Sequence, residues 1–255
     1  MNATLEAVRT AAAPFGLNLV AAIGVERYDA AALPAYRAQA IASGARSIIV
    51  IGNGGRALWD ALKRYAHEHP GWMSREHPLD DFTRDVIERE VAPAARHNGS
   101  CTVVYPFVSV TGPTLSFMQL GRLAGLAGPS ILGVSVHPRF GPWLAFRAAL
   151  LVEEIIDQPA EALGYDPCPS CTARSCIAAC PVGAVSLEHG WDIPKCLTHR
   201  VEVEPDCATR CHARVACVLG PEHRYADDEL AHHQTRALRA MRPWYEKNIK
   251  PAKPG

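Results

Sequence analysis

The sequence has no net charge: 26 lysines and arginines are matched by 26 aspartates and glutamates. A chain without a basic excess has no overall field to hold a polyanion, which sets aside nucleic acid and anionic membrane surfaces as expected partners. Long apolar runs are missing too, and no segment goes far enough without charge to span a bilayer. The opening MNATLEAVRTAAAPFG carries a Glu, has no uninterrupted apolar region and lacks a twin-arginine pair, so it does not read as an export signal. A cytoplasmic protein with no membrane partner is expected. Neither an internal repeat nor a low-complexity tract is present, and only the end, NIKPAKPG, reads as frayed.

Cysteine is nearly absent from the first two thirds, where Cys101 stands alone and reads as a buried strand thiol. The other eight, Cys168, Cys171, Cys176, Cys180, Cys196, Cys207, Cys211 and Cys217, fall within fifty positions. In a reducing compartment such a cluster points to metal ligands rather than disulfides. With 255 residues, 48% apolar and 20% charged, the chain can bury a sizeable core as one domain, with or without a small appendage.

The first 160 residues alternate helical and strand patterns, which predicts an α+β sandwich. Helices are expected over 2–13, 29–43, 56–68, 80–97 and 114–126, and strands at LNLVAAIG, RSIIVIG, CTVVYPF, SILGVSVH and WLAFRAALLV. GNGG at 52–55 follows a strand but lacks the third glycine of a dinucleotide fingerprint and the lysine of a P-loop, so it reads as a plain strand-to-helix turn.

The stretch CPSCTARSCIAACP has the form C-x2-C-x4-C-x3-C-P. Thiolates this close can converge on one centre, and structural zinc would need only four of them. The x3 spacing, the proline after Cys180 and the division of eight ligands into two fours favour iron–sulfur chemistry. In two-cluster ferredoxins the run is C-x2-C-x2-C-x3-C-P, and its fourth cysteine ligates the other cluster. The middle gap is two residues longer here, and the second half, KCLTHRVEVEPDCATRCHARVAC, is the weaker match. If two clusters form, Cys168, Cys171, Cys176 and Cys217 are one ligand set, and Cys180, Cys196, Cys207 and Cys211 the other; a single cluster, and zinc or no metal, are the alternatives.

GVSVHPRFGPWLAFRAALLV at 133–152, APFGLNL near the start and PEHRYADDELAHHQ at 221–234 resemble, in the same order, segments of the cobalamin trafficking proteins of the C complementation type, which strip the upper ligand from vitamin B12. The succession SIIVIG, GPTLSFMQLGRLAGLAG, FGPWLAF and then the cysteine run is similar to epoxyqueuosine reductase, a cobalamin and two-cluster enzyme. Both resemblances imply a nitroreductase-like core holding cobalamin base-off, and they differ in the reaction. The reductase has a catalytic aspartate just before the segment matching TGPTLSFM, where this chain offers Ser109, Val110 and Thr111. Animal members of the trafficking family, for their part, lack the cysteine-rich insert.

By resemblance, Gly133 and the turn His137, Pro138, Arg139, Phe140 and Gly141 border the corrin, and His137 could approach cobalt; the alternative is a hairpin needing Gly and Pro for geometry alone. Arg147 and Arg224 match arginines implicated in binding a thiol cosubstrate, glutathione, with a structural salt bridge as the alternative. Trp143 and Tyr225 either face the cofactor or pack in the core. His199, His212 and His232 read as solvated or supporting groups.

The expected organisation is a nitroreductase-like cobalamin-binding domain at 1–160, a small ferredoxin-like insert with two 4Fe–4S clusters at 161–219, and a segment at 220–255 that packs back on the cobalamin pocket. The expected function is that of an oxidoreductase: reductive removal of cobalamin's upper ligand, with electrons from a low-potential donor such as reduced flavodoxin, ferredoxin or a flavin reductase. A cobalamin-dependent reductase of an organic substrate and a non-catalytic cobalamin carrier remain open, as does a flavin requirement.

Overall fold

Ile48, Ile49, Val50 and Ile51 are β-branched and consecutive, a pattern that suits a strand covered on both faces. In the computed structural model, which describes residues 2–96, 99–107, 112–156, 164–203 and 205–250, they lie in a strand whose eight residues are all buried. The chain divides into two compact units, one made of Met1–Gly128 with Leu144–Tyr165, the other of Pro129–Trp143 with Asp166–Gly255.

The first unit is a mixed α+β structure around a four-stranded sheet. Strands β1 (Leu19–Gly24), β2 (Ser47–Gly54), β3 (Cys101–Val104) and β4 (Leu144–Val152) pair in the order β1-β2-β4-β3, and every pairing is antiparallel. Ile49 and Ile51 point into a core with Leu58, Leu62, Phe82 and Leu150. Ile48 and Val50 point the other way, to Tyr28, Leu120 and Leu151. The first face is covered by helices α1 (Ala3–Ala12), α3 (Ala57–Glu68), α4 (Pro78–Val86) and α5 (Ala92–Arg96), and the second by α2 (Val25–Ala31) and α6 (Phe117–Leu123). Burial of each large aliphatic side chain contributes about 1.5–3 kcal/mol, so the two layers clamp the sheet.

Several elements are shorter than the sequence pattern suggests. The helix expected over 29–43 ends at Ala31, because Leu33, ahead of Pro34, is extended, and only two 3-10 turns follow. The helix expected over 80–97 is interrupted by a π-helical turn, Ile87–Val91. SILGVSVH forms turns in place of a strand; Gly133 at φ +71° breaks the extended path, and the isolated bridge between His137 and Gly141 is its sheet-like pairing. Cys101 is half-buried on β3, and burial pushes its thiol up to about 11.

A bulge decides where Arg147 goes. Ile51 pairs with Ala148 but Gly52 pairs with Phe146, leaving Arg147 as the extra residue on β4. The bulge reverses the in–out alternation, so Phe146 packs on the α2/α6 layer while Arg147 meets Asp80 of α4.

The second unit has short elements: helices α7 (Ser175–Ala178), α8 (Ile193–Thr198), α9 (Pro205–Thr209) and α10 (His212–Val215), and a ribbon of β5 (Val185–Ser186) and β6 (Gly190–Trp191). The long helix α11 (Asp227–Asn248) opens on Asp227, Asp228 and Glu229, negative charge where the helix dipole favours it. Two small cores hold it, Leu197 with Leu238 and Tyr245, and Trp143 with Tyr225 and Leu230. Among the described residues no helix is long and apolar enough to cross a membrane.

Candidate functional site

All eight clustered cysteines lie in the second unit, on or beside its short helices. The Cys171 amide donates to the Cys168 carbonyl at 3.2 Å, closing the first turn. Arg174, at φ +46° the one non-glycine residue in the left-handed region among those described, then redirects the chain into α7, which carries Cys176. The Cys180 sulfur accepts from the Ala184 amide at 3.2 Å. Cys196 rides on α8, which is capped by Asp192 accepting from the Lys195 amide at 2.9 Å. Cys207 lies in α9, Cys211 caps α10 and Cys217 follows its end.

The thiols sort into neighbours. Burial first, and then Cys217, Cys168 and Cys171, push the Cys176 thiol up. Cys217 is raised by burial and by Cys168 and Cys171, whereas Cys196 is raised by burial and by Cys211 and Cys180. A cavity of about 330 Å³ is lined by Cys168, Cys171, Cys176 and Cys217 together with apolar Ile131, Leu132, Val136, Leu187 and Val218. Among the described residues no three His, Cys, Asp or Glu side chains are drawn together as a metal-holding group. Burial raises the Cys168, Cys176, Cys196 and Cys217 thiols, and cysteine ligands release their protons when they bind a metal.

The turn 133–141 is built tightly. Gly133 sits at φ +71°, where a Cβ would collide with the Trp191 ring, and Gly141 at φ +57°, where it would collide with the Leu219 carbonyl. His137 and Gly141 exchange two backbone hydrogen bonds of 2.9 and 2.8 Å. Inside this bridge the His137 Nδ1 accepts from the Arg139 and Phe140 amides at 3.0 and 3.3 Å. Burial, then Arg139 and His223, lower its pKa to about 4. The ring is therefore neutral with its proton on Nε2, a donor that would have to lose that proton before meeting a metal. Pro138 occupies the corner. Gly141→Ala is expected to destabilise the second unit by about 3 kcal/mol or more, the sum of left-handed strain and the backbone collision, read from a denaturant midpoint.

Trp143 is fully buried and meets Tyr225 edge-on at 5.4 Å. The Arg214 guanidinium lies 5.0 Å from both rings and donates to the Pro142 carbonyl at 3.1 and 2.6 Å. Phe140 packs against His223, ring centroids 4.6 Å apart. The Trp143 Nε1–H is buried with no acceptor among the described residues, as is His199 Nε2. Arg224 is exposed and donates to the Cys217 carbonyl at 3.4 Å.

Arg147 belongs to the first unit. Its Nε donates to Asn53 Oδ1 at 2.8 Å and its Nη1 lies 3.8 Å from Asp80. Asn53, fully buried, also bonds the Gly55 carbonyl at 3.4 Å; contrary to the turn expected at 52–55, Gly52, Asn53 and Gly54 end strand β2 and pair with β4, and only Gly55, at φ +68°, starts the turn into α3. His212 pairs with Asp206 at 2.8 Å, and His232 stands edge-on to His233. Ser109, Val110 and Thr111 lie outside the described residues. Arg214 was not singled out in the sequence: its aromatic partners stand well before and after it in the chain, and nothing in HARVAC announces them.

Comparison with protein-family models gives no match, and neither does comparison with curated proteins. Among solved structures the fold is similar to that of the C. elegans B12-trafficking protein CblC, a homologue of human MMACHC. The TM-score is 0.56 at 15% identity, over 98% of this chain and 99% of that one. It is also similar to the catabolic reductive dehalogenase NpRdhA, at TM-score 0.53 and 16% identity, over 95% of this chain and 36% of that one. For epoxyqueuosine reductase from Bacillus subtilis the values are 0.50 and 14%, over 87% of this chain and 66% of that one. At these identities the likeness is one of fold.

Proposed function

We propose that this protein binds cobalamin base-off and processes it reductively, removing the upper axial ligand with electrons relayed through two 4Fe–4S clusters. Cys168, Cys171, Cys176 and Cys217 would hold one cluster, and Cys180, Cys196, Cys207 and Cys211 the other. The observation that carries the reading is the single cavity lined by Cys168, Cys171, Cys176 and Cys217, and the neighbourhood of Cys196 with Cys180 and Cys211 supports a second centre. All-thiolate donor sets suit iron–sulfur clusters, which when bound supply single-electron transfer to the corrin's cobalt. Solved structures of similar fold include a B12-trafficking protein and two reductive enzymes, in keeping with cobalamin chemistry.

The chain's own groups bind and orient. The turn from Gly133 to Gly141, with Trp143, Arg224 and Tyr225, would border the corrin. The Trp143 Nε1–H, buried without an acceptor, is the kind of donor that a corrin amide carbonyl satisfies, and leaving it unmet costs about 1–3 kcal/mol. A neutral His137, in the turn that precedes Trp143, offers an Nε2–H held in direction by two backbone amides. Arg147 is engaged by Asn53 and Asp80, which favours electron delivery through the clusters over thiolate attack by glutathione. Residues 1–160 would supply most of the cobalamin domain, 161–219 the clusters and 220–255 a return to the pocket, with a low-potential flavodoxin, ferredoxin or flavin reductase as donor.

Anaerobically reconstituted protein is expected to hold about eight iron and eight sulfide per chain. On reduction with added cyanocobalamin it should release cyanide, followed by the change in corrin absorption. Folded protein that takes up no iron, or that binds no corrinoid, overturns the reading. A corrin that is reduced but keeps its ligand points instead to turnover of an organic substrate.

A further inference from the structure

Arg200 is buried at 9% exposure, inside the segment that separates Cys196 from Cys207. Helix α8 does not end cleanly: it runs on into a π-helical turn, His199–Val203. Wide turns of this kind are rare and concentrate at functional positions. Here the turn carries Arg200 on the same inward side as Leu197, which is fully buried.

A buried guanidinium needs hydrogen-bond acceptors and, separately, a compensating charge. Arg200 has the acceptors: Nε donates to the Cys207 carbonyl at 3.0 Å and Nη2 to the Gln234 carbonyl at 2.9 Å. Both are neutral. Among the described residues no carboxylate pairs with it. The anionic chemistry within reach is that of the cysteines: it grips the backbone of Cys207 and lies one turn beyond Cys196. The other set presents a contrast, because Arg224 makes the equivalent bond to Cys217 from an exposed position, where water screens its charge.

We infer that Arg200 is a fixed buried countercharge that raises the reduction potential of the centre held by Cys180, Cys196, Cys207 and Cys211 above that of the centre held by the other four cysteines. This rests on the two-cluster reading above. Each reduction moves one electron from the external low-potential donor onto a cluster, with no bond made or broken, and adds one negative charge. A nearby positive charge in a poorly screened site stabilises the reduced state more than the oxidised one. The Arg200 centre is thereby the one on which the first electron rests.

The test is a potentiometric titration followed by electron paramagnetic resonance on reconstituted full-length protein, with Arg200→Gln, Arg200→Lys and Arg224→Gln. Wild-type protein that holds no iron defeats the two-cluster reading itself and is scored before any variant. With clusters present, R200Q is expected to lower the equilibrium constant of the higher-potential step about tenfold, 59 mV for one electron, and to leave the lower step in place. R200K keeps the charge and should stay near wild type, while R224Q should move its step several-fold less. A lysine variant that loads where the glutamine variant does not also supports a requirement for charge. Unchanged potentials in R200Q, a shift confined to the lower step, equal shifts in R200K and R200Q, or failure of R200K to load both clusters would each overturn the inference and leave Arg200 a brace for two carbonyls.

Discussion

Cys217→Ser is expected to halve the iron of reconstituted protein, from about eight to about four per chain, and to remove one of two reduction steps. The sharper form of the expectation compares three variants. Cys176 and Cys180 are four positions apart, yet the thiol that influences Cys176 most strongly is the distant Cys217, while Cys180 acts on Cys196. C176S and C217S should therefore lose the same step, and C180S the other. Iron analysis and redox titration of the three decide the matter. If C176S and C180S behave alike and C217S differs, the proposed ligand sets are wrong.

Arg147→Met is expected to cost about 2–4 kcal/mol of stability. The methionine fills much of the volume but leaves the Asn53 Oδ1, fully buried, without its 2.8 Å donor, a loss of about 1–3 kcal/mol. Asp80 loses a partner at 3.8 Å; its side chain is 27% exposed, so water recovers part of that loss. Equilibrium denaturation with a probe in the first unit, such as Trp59 fluorescence, measures the effect. A variant as stable as wild type would mean that the guanidinium is not structural, and would revive a binding role for it.

The parts of the fold written in local pattern were legible. The β-branched run from Ile48 to Ile51 announced a strand, and the strand is buried throughout. The two-way split of the cysteines was read from spacing and one proline, and it stays a proposal, which the iron and redox behaviour of the three cysteine variants decides. Elements fixed by a single residue's backbone were harder. Alanine periodicity over 29–43 promised one helix, and Pro34 cut it short; SILGVSVH looked extended, but Gly133 turns the chain. Arginine roles were least legible of all. Whether Arg147, Arg200 or Arg214 braces, compensates or stacks depends on acceptors and rings supplied by distant segments, as with Asn53 for Arg147, and no periodicity encodes those meetings.

The strand order has a consequence for how the molecule comes into being. Because β4 lies between β2 and β3, a nascent chain that stops at Trp143 can zip β1 to β2 but leaves β3 with no neighbour. Leu144–Val152 completes the sheet, and all four of its strands precede the clustered cysteines in the chain. The clustered thiols thus leave the ribosome behind every strand of the sheet, which can assemble without them.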